Sequence, residues 1–320
     1  MRSDVAQLPI RVPPEGVESG LGYLLRALST NGSTLLAARQ QCGIRDWRSL
    51  THAQLRELAH MTAVDPDWLR ERIMLRSMVT PEHFECFGQS FRCQAAPPNM
   101  GAKVCPECIR ESGCCQRTWI LPAAIVCPDH ARPFIDTCGR CLRLITWRRP
   151  AVDVCTCGRY LTDRDSGGKQ RPPNYAAAWT RWLDARLDPE HPTWQLEKSE
   201  MPRLLDCLTI DGATAVVLAF GTIESPEKMT PLRQRRAPLG RLLGTIERGI
   251  ERLGTIDGAP HEARRWSAHV YSPILERLKR TGVTTADRDC AALLLRYVGH
   301  RSHRSKGGRY NLGQLELFDR

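Results

Sequence analysis

Four short pairs of potential metal ligands follow one another between residues 105 and 157. They read Cys105-Pro-Glu-Cys108, Cys127-Pro-Asp-His130, Cys138-Gly-Arg-Cys141 and Cys155-Thr-Cys157. Thiolate and imidazole groups are the ligands that structural zinc takes in closed sets of four, and two ligands separated by two residues can reach one ion from a tight turn. These eight ligands therefore predict two zinc ions per chain.

The simplest partition of the ligands is sequential, with the first two pairs forming site one and the last two pairs forming site two. Both sets are complete and leave no open position for water, so the pattern predicts structural rather than catalytic zinc. A set of disulfides or free thiols is the alternative, but cysteine pairs in a reducing cytosol are more typical of metal ligands. The remaining cysteines, most of which we expect to be buried apolar residues, are Cys42, Cys86, Cys93, Cys114, Cys115, Cys207 and Cys290. Either Cys93 or Cys115 could displace an assigned ligand.

The composition indicates an anionic partner. The 320 residues include 46 Lys and Arg against 35 Asp and Glu, a net charge of +11. Nucleic acid is the first candidate, because basic side chains gain affinity by releasing phosphate counterions; a solvated basic surface is the alternative. The N-terminus lacks the apolar run of a signal peptide and no stretch approaches the ~20 apolar residues of a membrane span. We therefore expect a cytoplasmic protein.

The periodicity of apolar residues predicts a mainly α fold with small zinc-ribbon or zinc-finger modules. Helices are expected over 20–30, 34–42, 52–62, 66–77, 175–187, 239–253, 262–281 and 285–298. Thr51 and Asp65 are the expected N-cap residues of the helices over 52–62 and 66–77. The residues at 80–104 are expected to be an irregular linker, and 144–147 a strand of a ribbon. Three domains follow: an N-terminal arm with a helical, helix-turn-helix-like domain at 1–80, a central double zinc-finger module at 81–162, and a C-terminal helical domain with a basic tail at 163–320.

Residues 58–73 have the apolar spacing of a helix-turn-helix. Ala63 stands in the turn, where such motifs often have glycine. Basic residues on the second helix could meet phosphates, namely Arg70, Arg72 and Arg76. A plain helical bundle with a solvated basic face is the alternative, and such a fold can also hold protein instead of DNA.

Further basic residues are candidates for contacts with nucleic acid, against the alternative of a solubilising charge. They are Arg143, Arg148 and Arg149 beside the third ligand pair, Arg233, Arg235 and Arg236 in a loop, and Arg304, Lys306 and Arg309 in the tail. Motifs of common enzymes do not occur: there is no GxxxxGK[ST] loop, no GxSxG turn and no HExxH helix. The sequence therefore predicts no catalytic residues.

These motifs together resemble the TniQ/TnsD family of bacterial transposition proteins. The resemblance rests on the order E-S-x-x-x-Y/W-x-x-R, CPxC, W-x-x-P, CPxH and CxxC, which spans Glu18 to Cys141. The sequence departs from the family at two places: at Gly139, where the family often has proline, and at the compact Cys155-x-Cys157 pair.

The resemblance implies an adaptor without catalytic activity. Family members identify a target and pass it to an AAA+ ATPase regulator of the TnsC or TniB type, which recruits the transposase. Some bind a DNA attachment site, whereas shorter members in CRISPR-associated transposons dock on the RNA-guided effector complex, as a homodimer in some systems. The alternative function is a zinc-containing helix-turn-helix transcription regulator that binds a fixed DNA site.

Overall fold

The computed structural model describes residues 5–80, 83–92, 101–163, 174–187, 201–222 and 239–299. Its contacts divide the chain into two compact units. The first unit lies within Met1–Glu197 and Thr230–Leu243, and the second within Lys198–Met229 and Gly244–Arg320. The division into three domains stays a prediction.

Four helices open the first unit: α1 (Gly20–Thr30), α2 (Leu35–Gln41), α3 (His52–Thr62) and α4 (Pro66–Arg72). Each begins after a side chain that accepts a hydrogen bond from a backbone N–H of the first turn, which would otherwise lack a partner. These N-cap residues are Ser19, Thr34, Thr51 and Asp65. The caps at Thr51 and Asp65 agree with the sequence prediction, and α2 begins one residue later than predicted.

The connection between α3 and α4 has the form of a helix-turn-helix. Ala63 closes α3 in the left-handed conformation, with φ of 53°. The backbone N–H of Val64 bonds to the carbonyl of Ala59 at 3.0 Å, and that of Ala63 bonds to His60 at 3.2 Å. These two bonds satisfy the last carbonyls of α3 and fix the direction of the turn.

A small antiparallel sheet follows α4 and interrupts the predicted linker. Its strands are β1 (Leu75–Arg76), β2 (His83–Cys86) and β3 (Gln89–Arg92), in the order β1-β2-β3, with Phe84 opposite Phe91. Both residues of the β2–β3 turn, Phe87 and Gly88, have positive φ. The N–H of Phe87 bonds to the carbonyl of Glu71 at 2.6 Å, so the hairpin turn meets the end of α4. The helix therefore ends at Arg72, five residues before the predicted end.

The cysteine-rich segment has little regular structure. It contains α5 (Pro106–Ser112) and a 3-10 turn at Arg117–Ile120. Single antiparallel bridges hold the rest, and one of them pairs Thr137 with Leu144, where the sequence predicts a ribbon strand. The helix α6 (Asn174–Leu187) packs on the 3-10 turn: Arg117 donates to both carboxylate oxygens of Asp184, at 2.8 and 3.3 Å.

The start of α1 is fixed directly to this cysteine-rich segment. The N–H of Ser19 bonds to the carbonyl of Cys115 at 3.0 Å, and the N–H of Arg117 bonds to Val17 at 2.7 Å. A Cβ atom on Gly22 would lie 2.4 Å from the Cβ of Cys115, so only glycine permits this approach. Beside it, the fully buried carboxylate of Glu18 accepts two hydrogen bonds from Arg26, at 2.9 and 2.6 Å.

The second unit is helical. Its described helices are α7 (Ile210–Gly221), α8 (Leu239–Gly254), α9 (Ser272–Thr281) and α10 (Thr285–Val298). The part of α8 that belongs to this unit begins at Gly244. Two 3-10 turns, Arg203–Leu205 and Pro260–Trp266, also belong to the unit. The helix predicted over 262–281 is thus a 3-10 turn and a separate helix that begins at Ser272. The buried Asp287 accepts bonds from the N–H and hydroxyl of Thr209, at 3.0 and 2.9 Å, and so joins α10 to the start of α7.

The predicted fold class is confirmed: the described residues are mainly helical, with two groups of Cys and His side chains in the cysteine-rich segment. Across the described ranges, every helix is too short or too polar to span a bilayer.

The left-handed Ala63 gives a prediction about the turn between α3 and α4. The left-handed conformation costs an alanine about 1–2 kcal/mol, whereas the greater unfolded-state freedom of glycine costs about 0.4–1 kcal/mol. We expect Ala63→Gly to raise the free energy of unfolding by about 0.5–1 kcal/mol, as measured by urea unfolding. The matched control is Ala53→Gly on the exposed side of α3, which should lower it by up to about 1 kcal/mol. Destabilisation by Ala63→Gly would contradict the turn geometry.

The Glu18–Arg26 pair gives a second prediction. Arg26→Leu leaves a buried carboxylate without its cation and should cost about 3–5 kcal/mol of folding free energy. The double variant Glu18→Gln, Arg26→Leu should recover part of that loss. Equal costs for the single and double variants would show that the pair is not coupled.

The cost of Arg26→Leu should also depend on pH. Burial raises the pKa of Glu18, and Arg26 opposes this rise. Without Arg26 the folded protein holds the proton of Glu18 more tightly than the unfolded chain does, so stability falls as pH rises. The cost should therefore be smaller near about pH 5 than near about pH 8, measured against wild type at each pH.

Candidate metal centres

The first cluster brings together Cys105, Cys108, Cys127 and His130. The sulfur atoms of Cys108 and Cys127 are 3.4 Å apart. The Nδ1 atom of His130 lies 3.6, 3.3 and 3.4 Å from the sulfur atoms of Cys105, Cys108 and Cys127. All four donor atoms lie within 4.8 Å of one another.

The second cluster brings together Cys138, Cys141, Cys155 and Cys157, again with the donor atoms within 4.8 Å of one another. Its shortest separations run between the two ligand pairs: 3.7 Å from Cys138 to Cys157 and 3.9 Å from Cys141 to Cys155. The structure therefore groups the eight side chains as the sequential partition predicts.

These separations fit zinc better than disulfides. Zinc bonds of about 2.3 Å to sulfur and about 2.1 Å to nitrogen give a tetrahedron with edges of about 3.6–3.8 Å. The separations of 3.3–3.9 Å are close to these edges. They are far from the ~2.05 Å of a disulfide, and none of the described cysteines forms a disulfide.

The turns that aim the ligands share a hydrogen-bond pattern. In the second and third pairs the first cysteine donates its N–H to a carbonyl five residues on, from Cys127 to Arg132 at 2.7 Å and from Cys138 to Arg143 at 3.0 Å. The fourth pair is one residue shorter, and its bond spans four residues, from Cys155 to Arg159 at 2.8 Å. Each turn contains one residue with positive φ: Ala131, Leu142 and Gly158.

The first pair is built differently. Cys105 is the N-cap residue of α5, Pro106 is the first helical residue, and Cys108 lies in the first turn. Proline suits this position because its fixed φ is already helical and its missing N–H has no partner there in any case. The helix thereby sets the distance between the two sulfur atoms.

Polar contacts outside the first cluster hold its ligands in place. Nδ1 of His130 faces the sulfur atoms, and its Nε2 lies 2.9 Å from a carboxylate oxygen of Glu111. Such a carboxylate fixes the tautomer of a histidine ligand and the orientation of its ring. Glu107 of α5 also accepts a hydrogen bond from Arg132 at 2.8 Å, which joins α5 to the turn of the second pair.

The pKa is lowered for one thiol of the first cluster, Cys127, and for two thiols of the second, Cys138 and Cys141. Hydrogen bonds from Cys105 and Cys108 lower the pKa of Cys127 to about 4, and hydrogen bonds from the backbone and side chain of Arg143 lower the pKa of Cys141 to about 6. Burial instead raises the pKa of Cys155 to about 11. A full set of thiolates therefore needs a cation at the centre, as metal binding supplies.

The other described cysteines lie outside both clusters. Burial raises the pKa of Cys42 to about 11 and that of Cys115 to about 12, which keeps both as neutral thiols. Cys115, the alternative ligand, instead accepts a hydrogen bond from Arg149 at 3.3 Å. Cys93 lies outside the described residues.

The predicted nucleic-acid contacts on the helix-turn-helix occupy three different settings. Arg70 is exposed on α4. Arg72 packs over the rings of Trp68 and Phe87, at 4.6 and 5.6 Å. Arg76 lies on β1, over the ring of Phe84 at 5.3 Å, because α4 ends before it.

The arginines near the third ligand pair also differ from one another. Arg143 and Arg148 are exposed. The expectation that Arg149 contacts nucleic acid at the surface is wrong, because its side chain is buried. It donates hydrogen bonds to the carbonyls of Thr146 and Val152 at 3.1 Å each. The candidates in the loop and tail lie outside the described residues: Arg233, Arg235, Arg236, Arg304, Lys306 and Arg309.

Two buried cations beside the clusters were not predicted. Lys103 donates to the carbonyls of Leu121 and Ala124 behind the first cluster, and Arg117 pairs with Asp184. The position of Lys103 between the apolar residues Ala102 and Val104 is the signal that could have indicated its burial. The pair of Arg117 and Asp184 joins residues 67 positions apart, and sequence patterns do not reveal such pairs.

The fold and clusters define a helical protein with two small Cys/His metal modules. Residues 9–134 match the family model described as TniQ. This region is therefore a TniQ domain, and the family resemblance found in the sequence is confirmed. The match includes the Glu18–Arg26 pair and the first cluster and ends before the second cluster. No curated protein matches the chain in a sequence comparison.

The two clusters predict the metal content of variants. We expect two zinc ions per chain in the wild-type protein, and one in either Cys105→Ser or Cys141→Ser, because each removes a ligand from a different cluster. Zinc binding supplies on the order of 10 kcal/mol to such modules, so each variant should also lose structure around its own cluster. Elemental analysis and proteolysis of the purified proteins measure both effects.

The matched control is Cys207→Ser, which removes an exposed thiol outside the clusters and should keep both ions. A Cys105→Ser or Cys141→Ser protein that retained two zinc ions would show that the ligand assignment is incorrect.

Proposed function

We propose that this protein is a non-catalytic transposition adaptor of the TniQ type. It recognises or docks on a target, either a DNA site or an RNA-guided CRISPR effector complex. It then recruits an AAA+ ATPase regulator and, through it, the transposase. The observation that carries this proposal is the TniQ domain at residues 9–134.

Two structural zinc ions are part of the proposal. Each cluster offers four protein donors at tetrahedral separations, so a bound zinc ion would have no position left for water or substrate. The metals then fix the cysteine-rich segment, to which α1 and α6 are attached through Cys115 and Arg117. An adaptor requires such a rigid centre, because it must hold the surfaces for its partners in a fixed arrangement.

Contacts with nucleic acid would come from the exposed cations. Arg70 on α4, and Arg143 and Arg148 beside the second cluster, have exposed side chains. Arginines in such positions attract phosphates from a distance and contribute a salt-dependent part of affinity. The predicted cations outside the described residues would add to this contribution.

The test is recruitment of the ATPase. The zinc-loaded protein is mixed with the AAA+ ATPase encoded beside its gene, on DNA that carries the target, and ATPase bound to that DNA is measured. We expect recruitment to depend on this protein, and we expect transposition to be lost in a deletion strain. Absence of recruitment in every target context, together with normal transposition in the deletion strain, would refute the proposal.

The Cys105→Ser protein serves as a control in this experiment, because it should lack the first metal and the arrangement of α1. The alternative function makes a different prediction, namely sequence-specific, salt-sensitive binding to the protein's own promoter without the ATPase. That result, with no effect on transposition, would assign the protein to transcriptional regulation.

A further inference from the structure

The module around the second cluster, residues 135–163, exposes three large apolar side chains. Leu142 is 77% exposed, Leu144 is 54% exposed and Tyr160 is 55% exposed. Leu142 directly follows the ligand Cys141, and Tyr160 lies three residues after Cys157. Because the sulfur atoms of these two ligand pairs lie 3.7–3.9 Å apart, one small metal-held module carries all three side chains.

Leu142 is in a backbone conformation that does not suit leucine. Its φ is 55°, in the left-handed region, where a bulky residue is a genuine outlier. The turn of the fourth ligand pair also needs a residue with positive φ, and there the residue is Gly158, with φ of 83°. The largely solvated side chain of Leu142 gains little from packing within the protein. Strain of this kind commonly marks binding sites, where contact with a partner offsets the cost.

The charge around these side chains indicates the chemistry of the partner. The module, residues 135–163, contains five arginines and three aspartates, and Arg140 and Arg148 are exposed. An apolar centre of Leu and Tyr with an arginine rim is the composition of a protein–protein interface. Binding of nucleic acid instead relies on cations and polar groups, and aliphatic side chains in solvent add little to it.

We propose that Leu142, Leu144 and Tyr160 form a docking surface for a protein partner that offers an apolar patch rimmed by carboxylates. The inference rests on the proposed adaptor function, because it supplies one of the surfaces by which an adaptor holds another protein. The inference also assigns a role to the module around the second cluster, which lies beyond the residues that match the family model.

The first measurement is photo-crosslinking in cells that carry the complete transposon. A benzophenone amino acid is placed at position 142, at position 160 or, as a control, at the exposed Leu36 of α2. We expect positions 142 and 160 to crosslink to the same protein and position 36 not to do so. Mass spectrometry identifies that protein, and it is then purified for binding experiments.

The second measurement is the affinity of that purified partner for variants of the full chain. Leu142→Gly should weaken binding about tenfold or more, which is typical of a central interface residue. It should keep two zinc ions and equal or greater thermal stability, because glycine relieves the left-handed conformation. Leu144→Ser should also weaken binding, and Leu36→Ser should not. Arg140→Glu should weaken binding more at low salt than at high salt.

Three results would overturn the docking surface. They are crosslinks from positions 142 and 160 to nucleic acid or to no protein, crosslinks equal to those of position 36, and unchanged affinity of Leu142→Gly.

If the crosslinked protein is not the AAA+ ATPase but the variants weaken its binding, the docking surface stands and recruitment of the ATPase must be tested separately. If the ATPase is recruited equally well by wild type and Leu142→Gly, and no other protein is crosslinked, the adaptor function stands and this surface is refuted.

Discussion

The attachment of α1 to the backbone around Cys115 is the contact on which the first unit depends. The chain around Cys115 lies between the first cluster's ligand pairs, so the metal ligands position the backbone that receives the helix. Gly22 permits the close approach, Ser19 starts the helix and bonds to Cys115, and Glu18 is held by Arg26. This contact joins the N-terminal helices to the segment that carries the first cluster.

The Glu-Ser-x-x-x-Tyr-x-x-Arg motif gains a physical explanation from these contacts. The hydroxyl oxygen of Tyr23 lies 3.1 Å from the carbonyl oxygens of both Val12 and Thr62, which can accept its one proton in turn. The ring of Tyr23 contacts Trp68 of α4 edge-on. One end of α1 thus faces the metal segment while Tyr23 fixes the helix-turn-helix to the same element. The motif that indicates the family is therefore a structural junction between α1, the helix-turn-helix and the cysteine-rich segment.

Local chemistry explains which features could be predicted from the sequence. The caps Thr51 and Asp65 and the four ligand pairs depend on residues a few positions apart, and all of them were found. The hairpin over residues 83–92 was not predicted, because its strands are four residues long and its turn is Phe-Gly, whereas Asn-Gly or Asp-Gly is the usual signal. The burial of Arg149 depends on carbonyls and a thiol that only the folded chain brings to it.

The two metal modules differ in how many contacts with the rest of the chain surround them. The first is surrounded by contacts that fix it, including Glu111 on His130, Lys103 on the carbonyls behind it, and α6 beyond Arg117. In the second, the described residues pair through single bridges, and Leu142, Leu144 and Tyr160 extend into solvent. A module whose ligands already hold its backbone does not need those side chains for a core. Their exposure and the left-handed backbone of Leu142 support the docking surface proposed for the second module. The side chains around the first module instead make their contacts within the chain.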